Sequence, residues 1–431
     1  MSDLARLLAR QLLDEARALP RRGARRLGGR PDVAACATTD EIRAAARRAL
    51  PKVIFDFVDG AAGDEWTARR NIADLQALEI APRILVDVSV VDTGTTALGT
   101  PIALPVIGAP TGLTGLVHHE GEVGLATGAH RAGSIYTLAA MSSYSIEEVA
   151  AASPGPTWFQ TYVWRDRGLV AELLGRARAA GMTAAVFTVD VPVAAARDRD
   201  RRNGFGLPPR ATFRSVASGL RRPAWSWAFL RDPRITAANV AADPHAAGEA
   251  ISVAGYINEQ FDPRADWSAL EWLRGVWDGP LVVKGLTRAE DARQAVALGA
   301  DAVVVSNHGG RQLDHAPTTI RALPAVADAV GADAEVFLDG GIRRGTDVLK
   351  AVALGARAVL VGRPLVFGLG AGGAAGVERA MTILGEELRT AMTLAGVARI
   401  ADLDPSLIVA RPAADDPSHP STTTGRRHPG G

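Results

Sequence analysis

Cysteine is nearly absent from this chain. Cys36 is the only one in 431 residues, so no disulfide framework can form and a reducing compartment is expected. Lysine is almost as rare, because arginine supplies nearly all the positive charge beyond Lys52, Lys284 and Lys350. No run of about 18 apolar residues occurs, so we expect no membrane span. An apolar signal core is also missing from the N-terminus, which argues against secretion.

Net charge is also small. The chain carries 48 Lys and Arg against 47 Asp and Glu, a formal charge of +1, so no nucleic-acid partner is expected. Hydrophobic residues make up 47% and charged residues 22%, which is ordinary for a globular protein with a large core. We therefore expect a cytoplasmic protein with either one long α/β domain or two smaller domains.

Short apolar runs rich in Val and Ala recur along the chain, most of them separated by a helical pattern. The eight runs are Val106–Ala109, Ile135–Ala139, Trp158–Val163, Ala184–Val189, Leu281–Val283, Ala302–Val305, Val336–Leu338 and Ala358–Val361. Segments 295–306 and 351–362 are nearly identical, and each resembles a helix end, a glycine cap and a strand. Eight βα repeats predict an α/β protein of the closed (β/α)₈ TIM-barrel type, with an open doubly wound sheet as the alternative.

Several segments lie outside these repeats. Residues 1–38 are rich in Arg and Ala and are predicted to be a flexible extension, and residues 411–431 a disordered tail. The barrel domain is predicted to span 39–410 and to begin with N-terminal helices opened by Thr39. Roughly ninety residues between Asp190 and Leu281 form a long insertion after strand four. Its aromatic segment Trp225–Leu230 could pack on the barrel, cover the site, or contact a membrane.

The stretch from Ser306 to Asp314 concentrates chemistry directly after a buried strand. It contains a hydroxyl, an amide, an imidazole, two glycines and a guanidinium within nine residues. His308 can move a proton near neutral pH, and Arg311 can bind a carboxylate with two parallel hydrogen bonds. The plainer interpretation is a polar loop with an exposed histidine. So many functional groups at a strand end favour an active site.

Other polar residues follow the remaining strands, at the rim where such barrels place their active site. They are Pro110, Thr111, Gly112, Gln160, Tyr162, Thr188, Asp190, Lys284, Asp339, Gly341, Arg343, Gly362 and Arg363. The last two strand ends predict a phosphate site, or else two tight turns with surface arginines. Lys284 could stabilise negative charge in a bound ring or form a Schiff base. Asp190 beside His308 would raise its basicity for attack on the Cα–OH group of a 2-hydroxy acid.

The Ser306–Asp314 stretch resembles the signature of the FMN-dependent 2-hydroxy-acid oxidases and dehydrogenases, such as glycolate oxidase, L-lactate dehydrogenase and mandelate dehydrogenase. The resemblance runs from about residue 40 to about residue 407 and implies FMN as the cofactor. It places the phosphate near Arg343, Gly362 and Arg363, and the ribityl chain near Asp339 and Gly341. The loop of Pro110, Thr111 and Gly112 would lie against the flavin. The positions matching ring or ribityl contacts are Gln160, Thr188, Lys284 and Ser306.

The same resemblance implies oxidation of an L-2-hydroxy acid to the 2-oxo acid. It makes His308 the base, with Asp190 as its carboxylate partner. Arg197 and Arg311 match the two arginines that hold the substrate, and Tyr162 matches a tyrosine that meets the substrate oxygen. No metal is implied.

Three positions depart from the family pattern or vary within it. Phe57 stands where the family usually has a tyrosine that helps hold the substrate carboxylate. Ala139 aligns with a flavin-contacting serine. Met141 falls where the family varies side-chain size to fit the substrate. These changes affect the identity of the substrate more than the redox chemistry.

Partners are implied only by the resemblance. The stretches Trp158–Gln160, Asp190–Val193 and Leu281–Gly285 look most like those of bacterial L-lactate and mandelate dehydrogenases, which favours a quinone over O₂ as acceptor. A homo-oligomer, tetramer or octamer, is expected. Peripheral contact with the inner face of the membrane through Trp225–Leu230 is a further hypothesis. Two rival functions are a Schiff-base lyase using Lys284, and a flavin-bearing protein that has lost turnover through Phe57.

Overall fold

Eight parallel strands close into a barrel, which confirms the predicted (β/α)₈ fold. The computed structural model describes residues 32–204, 218–219, 221–234, 237–241 and 259–410. In chain order the barrel strands are β1 Val106–Gly108, β2 Tyr136–Ala139, β3 Thr157–Tyr162, β4 Ala184–Thr188, β5 Leu281–Leu286, β6 Ala302–Val305, β7 Glu335–Asp339 and β8 Ala358–Val361. Each strand pairs with the next, and β8 pairs with β1.

Helices surround these strands. Three precede the barrel: α1 Thr39–Ala49, α2 Lys52–Asp59 and α3 Trp66–Gln76. The later helices are α4 Gly121–Arg131, α5 Ile146–Ala152, α6 Arg167–Ala179, α7 Asp198–Arg202, α8 Pro223–Arg231, α9 Ala238–Ala241, α10 Ser268–Val276, α11 Ala289–Ala297, α12 Thr319–Val330, α13 Gly345–Ala353 and α14 Arg363–Ala395. Helix α14 is interrupted at Gly372 and Gly373, whose backbone angles are not helical.

The strands lack an apolar–polar alternation because both of their faces are buried. Successive residues enter two separate apolar clusters: Trp158 and Val186 lie in one, and Phe159 and Phe187 in the other. Since side chains alternate between faces along a strand, one cluster fills the barrel and the other packs beneath the helices. Trp158 reaches across the interior to Phe337, with ring centroids 5.5 Å apart. The barrel is thus a packed core, and any site must lie at its mouth.

Short strands and caps close the rest of the fold. The hairpin of Thr95–Ala97 and Thr100–Ile102 contributes Ala97 and Ile102 to the inner cluster and closes the N-terminal end of the barrel. Leu78–Ile80 pairs antiparallel with Ile408–Ala410 near the end of the described chain. Helix α1 begins after Thr38, whose hydroxyl accepts the Glu41 N–H, as a capping residue should.

The predicted boundaries are covered only in part. Residues 1–31 and 411–431, most of the predicted extension and the whole predicted tail, lie outside the described residues. Within the predicted extension, Val33–Ala35 forms a short 3₁₀ turn, and the Cys36 carbonyl accepts a hydrogen bond from Arg379 of α14. Chain 205–217, residue 220, and stretches 235–236 and 242–258 of the insertion are likewise outside the described residues.

The described part of the insertion tests the aromatic segment directly. Trp225 and Phe229 stack with ring centroids 4.9 Å apart, and the Trp225 indole donates to the Leu116 carbonyl. Trp227 and Leu230, on the other side of α8, are 65% and 75% exposed. Packing on the barrel therefore accounts for only half of the segment. Among the described residues, no helix is long and apolar enough to cross a membrane.

Candidate active site

A cleft of about 230 Å³ opens at the C-terminal mouth of the barrel. It brings together most of the residues that the sequence singled out: Phe57, Pro110, Thr111, Gly112, Met141, Tyr162, Arg197, Lys284, His308, Arg311, Asp339, Gly341, Arg343, Gly362 and Arg363. Four predicted site residues, Gln160, Thr188, Asp190 and Ser306, do not line the cleft but contact each other or the residues that do. Ala139 is buried in β2.

His308 and Asp190 form a pair at one side of the cleft. The His308 Nδ1 atom lies 3.1 and 3.3 Å from the two carboxylate oxygens of Asp190. Burial raises the pKa of Asp190, but the nearby His308 and Lys284 outweigh it, so the pKa lies below its ordinary value. His308 has a φ of 58°, and its N–H donates to Ser306 Oγ at 3.0 Å. This left-handed backbone conformation is unusual outside glycine.

A glycine makes room for this pair. Gly285 interrupts the regular pairing of β5 with β6, at a φ of 113°. A Cβ atom at Gly285 would stand 2.7 Å from the Asp190 side chain, so a larger residue would displace the carboxylate.

Lys284 is a buried cation at the base of the cleft. Its Nζ lies 3.0 Å from Asp339 Oδ2 and 3.0 Å from Ser306 Oγ. Burial lowers the pKa of Lys284, but Asp339 and Asp190 outweigh it, so the pKa is raised and the amine stays charged. Strand register puts Tyr162, Thr188 and Lys284 side by side on β3, β4 and β5.

Several buried polar atoms at the site have no hydrogen-bond partner among the described residues. They are Gln160 Oε1, Asp339 Oδ1, Thr111 Oγ1 and Arg197 Nε. The Gln160 amide nitrogen is held by Thr188 Oγ1 at 3.0 Å, which leaves its oxygen available. Buried polar groups are rarely left unsatisfied, so such atoms around one cleft indicate a polar ligand.

The carbonyl groups of the C-terminal turn of α2 accept hydrogen bonds from two arginines. Arg311 donates to the carbonyls of Phe57 and Gly60 at 2.9 and 2.8 Å. Arg363 donates to the carbonyls of Val58, Gly309 and Gly60 at 3.2, 2.9 and 2.9 Å. The last carbonyls of a helix carry its negative dipole end, which suits cations.

The Phe57 ring lies beside two guanidinium groups, those of Arg311 at 5.4 Å and Arg197 at 6.0 Å from its centroid. Burial and the neighbouring charges of Arg197 and Arg363 lower the pKa of Arg311 well below its ordinary value. A guanidinium remains protonated at neutral pH even so. The site therefore holds closely spaced positive charges that an anion would stabilise.

A second candidate anion site lies at the start of α14. The helix follows Gly362, which supplies no side-chain cap. Pro364 has no N–H, and the Leu365 N–H donates to the Gly362 carbonyl at 3.0 Å, so the backbone N–H groups that remain for a ligand are those of Gly362 and Arg363. Arg343 lies half-buried nearby, with one nitrogen donating to the Ile342 carbonyl at 2.7 Å, and its partial burial lowers its pKa. Arg363 is affected in the same way: its own burial, together with the charge of Arg343, lowers its pKa to about 10. Helix end and arginines together suit a phosphate.

Three residues of the Ser306–Asp314 stretch have supporting roles that the sequence did not reveal. Asn307 and Asn71 exchange two side-chain hydrogen bonds of 2.9 Å. Gln312 donates to the carbonyls of Asp190 and Val193, both at 3.1 Å. Asp314 accepts the Thr67 N–H at 2.8 Å and so caps α3, which has no cap of its own. Part of the stretch thus serves to hold His308 and Arg311 in place.

Comparison with known proteins agrees with this geometry. The profile of the FMN-dependent dehydrogenase family matches residues 46–410. The chain belongs to that family. It is 46% identical to an L-lactate dehydrogenase of Caulobacter vibrioides over 376 residues, which cover 87% of this chain and 98% of the relative. Identity to an L-lactate dehydrogenase of Allorhizobium ampelinum is 44% over 374 residues, covering 86% and 98%.

Solved structures of the family share the fold. A monotopic membrane protein, (S)-mandelate dehydrogenase, is 35% identical with a TM-score of 0.84, and the match covers 87% of this chain and all of that one. A mandelate oxidase with (S)-2-phenylpropionate is 41% identical with a TM-score of 0.72, covering 85% and 96%. The protein is an FMN-dependent 2-hydroxy-acid dehydrogenase, and FMN is its cofactor.

The residues at the cleft fit that cofactor. FMN carries a phosphate, a polar ribityl chain and a ring that becomes anionic on reduction. The structure offers a helix N-terminus with arginines for the phosphate. Unpartnered oxygens of Asp339 and Gln160 suit the ribityl chain, and the buried Lys284 ammonium suits the ring.

Proposed function

We propose that the protein oxidises an L-2-hydroxy acid of the lactate type to its 2-oxo acid. The observation that carries the proposal is the His308–Asp190 pair, which shares one cleft with Arg311 and with the buried Lys284. A base and a carboxylate-binding cation are what Cα–OH oxidation of a hydroxy acid requires of the protein. The names of the relatives support the lactate type.

FMN is proposed to lie between the phosphate site and the base. Arg343, Arg363 and the backbone at Gly362 would hold its phosphate. Asp339 and Gly341 would face the ribityl chain, and Pro110, Thr111 and Gly112 would lie against the ring. The remaining ring or ribityl contacts are assigned to Gln160, Thr188, Lys284 and Ser306. When bound, FMN supplies the acceptor for the two electrons that leave the substrate.

The substrate is proposed to be held in the cleft by its carboxylate. Arg311 and Arg197 would each offer charge-assisted hydrogen bonds to the carboxylate oxygens. The Tyr162 hydroxyl would donate to a substrate oxygen. Burial raises the pKa of Tyr162, so it keeps its proton near neutral pH. His308 would accept the hydroxyl proton, and ionised Asp190 would stabilise the imidazolium that results.

Substrate size and the electron acceptor are the finer parts of the proposal. Met141 and Phe57 line the cleft and would limit the substrate side chain, with lactate as the first choice and mandelate as the second. As in a dehydrogenase, a quinone is proposed to reoxidise the flavin in preference to O₂.

Peripheral membrane contact would bring the enzyme to such a quinone. Trp227 and Leu230 project from α8, which ends in Arg231 and follows Arg221 and Arg222. An apolar face with flanking arginines suits the surface of an anionic bilayer. The (S)-mandelate dehydrogenase of known structure is described as monotopic, which supports the proposal. Homo-oligomerisation stays a prediction.

A Schiff-base lyase is not favoured. An amine that attacks a carbonyl must be neutral and needs a lowered pKa. The pKa of Lys284 is raised, and its ammonium is paired with Asp339. Borohydride trapping with a carbonyl substrate would give no labelled Lys284 if this argument holds.

An anaerobic visible spectrum tests the proposed function. Purified protein should show a flavin band that bleaches on addition of L-lactate, and comparison with glycolate, L-mandelate and longer 2-hydroxy acids would define the substrate. Adding a quinone or O₂ to the reduced protein would then separate dehydrogenase from oxidase. A flavin band that no hydroxy acid bleaches would refute the proposal and favour the flavin-bearing protein without turnover.

A further inference from the structure

The C-terminal turn of α2, from Phe57 to Gly60, joins several parts of the cleft. Its carbonyl groups accept hydrogen bonds from Arg311 and Arg363, as described above. Its Phe57 ring lies beside the guanidinium of Arg197. A shift of this turn would therefore move both arginines assigned to the substrate carboxylate.

Asp59, which is not among the residues that line the cleft, anchors this turn to two other elements. Its carboxylate accepts two hydrogen bonds from Arg43 of α1, at 2.6 and 2.9 Å. A third comes from Arg199 of α7, at 2.8 Å. The Asp59 side chain is 9% exposed, so solvent screens these ion pairs weakly. Although burial raises its pKa, the two arginines bring the pKa of Asp59 below its ordinary value, so the group is ionised at neutral pH.

Arg199 carries the connection into the insertion. Its other terminal nitrogen lies 2.5 Å from Glu65, which follows the turn in the chain. Arg199 stands two residues after Arg197, and the neighbouring Ala196 carbonyl accepts the Gly63 N–H at 3.3 Å. The Arg197 guanidinium has a looser attachment, 3.8 Å from Asp200. The location of Arg197 thus depends on how its backbone is anchored, by the Ala196 carbonyl on one side and by the Arg199 side chain on the other.

We propose that Asp59 is a positioning residue for the substrate carboxylate. It ties α1, the turn of α2 and the start of the insertion into one unit, and so fixes the positions of Arg311 and Arg197 relative to each other. Asp59 itself touches neither substrate nor flavin. The inference rests on the proposed function, because it assigns Arg197 and Arg311 to the carboxylate.

If Asp59 acted only through its charge, its removal would change anion affinity in the opposite direction to a loss of positioning. The negative charge of Asp59 acts on Arg343 and Arg363, where it favours the charged form. Removing that charge without moving any atom would make the cleft more positive and strengthen anion binding. Loss of positioning would weaken it. The direction of the change therefore separates the two roles.

The experiment compares Asp59→Asn with Asp56→Asn in the FMN-bound full-length protein. Asp56 lies one turn earlier on α2 and pairs with Lys52 and Asn203. Its replacement by Asn removes the same charge without touching Arg43 or Arg199. Binding of oxalate, a small carboxylate with no Cα–H to oxidise, is measured by calorimetry. We expect the oxalate Kd to rise about tenfold in Asp59→Asn, from the loss of one charge-assisted hydrogen bond. In Asp56→Asn the Kd should stay within about twofold.

Turnover gives a second readout. In Asp59→Asn the KM for L-lactate should rise while kcat changes less, because His308 and Lys284 are untouched. Asp59→Glu, which keeps the charge, should recover part of the affinity. Arg199→Gln breaks the same link from the insertion and should also raise the oxalate Kd if Asp59→Asn proves too unstable to purify. When Arg197 is already replaced by Met, Asp59→Asn should raise the oxalate Kd by a smaller factor.

An unchanged or lower oxalate Kd in both Asp59→Asn and Arg199→Gln would overturn the positioning role alone. An equal loss in Asp56→Asn would also overturn it, because a general disturbance of α2 would then be the cause. If the unmodified holoprotein bound no oxalate and its flavin were not bleached by lactate, the proposed function would fail together with this inference.

Discussion

The pair of Lys284 and Asp339 offers a sharp test of how the cleft is stabilised. Their side chains are 4% and 9% exposed, and Nζ lies 3.0 Å from Oδ2. At an effective dielectric constant near 20, unit charges about 3 Å apart attract by roughly 5 kcal/mol before desolvation is counted. Removing one partner leaves the other buried and unpaired, so Lys284→Met should lower the free energy of unfolding by about 3–5 kcal/mol.

The double variant Lys284→Met/Asp339→Asn provides the control. With both charges gone, no uncompensated ion is buried, and the total loss should be smaller than the sum of the single losses by at least about 2 kcal/mol. Urea unfolding of the apoprotein, followed by tryptophan fluorescence, measures the effect without the extra stabilisation that FMN binding adds. Strictly additive losses would refute the argument, because the two side chains would then not act as a pair.

The pH dependence of this pair has a definite sign. The pKa of Lys284 is raised in the folded protein, so its contribution to stability is complete below the ordinary lysine pKa of about 10.4. It is lost only as the pH rises through the higher folded value. The difference in unfolding free energy between the unmodified protein and Lys284→Met should therefore be constant from about pH 6 to pH 9 as far as Lys284 titration is concerned. A steady fall over that range would show that the amine is not charged as the geometry implies.

Three further predictions concern the chemistry and the surface. Phe57→Tyr should lower the KM for L-lactate by about two- to tenfold with little change in kcat, since one neutral hydrogen bond contributes roughly 0.5–1.5 kcal/mol; an unchanged KM would mean that the hydroxyl does not reach the carboxylate. Asp190→Asn should reduce kcat by about a hundredfold or more while FMN content stays constant, because His308 loses the charge that stabilises its protonated form; normal turnover would exclude His308 as the base. Trp227→Ser/Leu230→Ser should reduce co-sedimentation with anionic lipid vesicles and leave the bleaching of FMN by lactate intact, whereas unchanged sedimentation would rule out α8 as the contact.

The barrel and its rim could be predicted because both depend on local sequence. Each strand is a short, mostly apolar run, often rich in Val and Ala, and both of its faces are buried in the structure, so the pattern is strong. The chemical residues follow the strand ends, and parallel strands in a barrel end at one rim. His308 from β6 and Lys284 from β5 therefore had to lie near each other. No distance needed to be known for that conclusion.

The supporting contacts could not be predicted, because each joins residues that are distant in sequence. Asn307 pairs with Asn71, 236 residues away, and Asp314 caps a helix 247 residues earlier in the chain. Asp59 holds Arg199 across 140 residues. A polar side chain gives no local signal of its partner. The left-handed backbone of His308 was equally hidden, since a non-glycine residue at positive φ is an exception to the usual preference.

The charges of the cleft explain why the phenylalanine at position 57 is compatible with function. Arg311 and Arg363 both donate to the turn of α2, and burial, together with the charges of neighbouring arginines, lowers the pKa of each, which is a cost of holding these cations here. Two features of the turn of α2 offset part of this cost: its carbonyl groups, which carry the negative end of the helix dipole, and the aromatic face of Phe57, which attracts cations. The carboxylates of Asp200, Asp59 and Glu65 also favour the charged arginines, and the proposed phosphate and substrate carboxylate would add to this stabilisation. A tyrosine at this position would add a hydrogen bond to the carboxylate, but the ring face that stabilises the guanidinium groups is the same in both residues. In the proposed binding mode, carboxylate recognition therefore rests with the arginines, and the missing hydroxyl would alter affinity without removing the site.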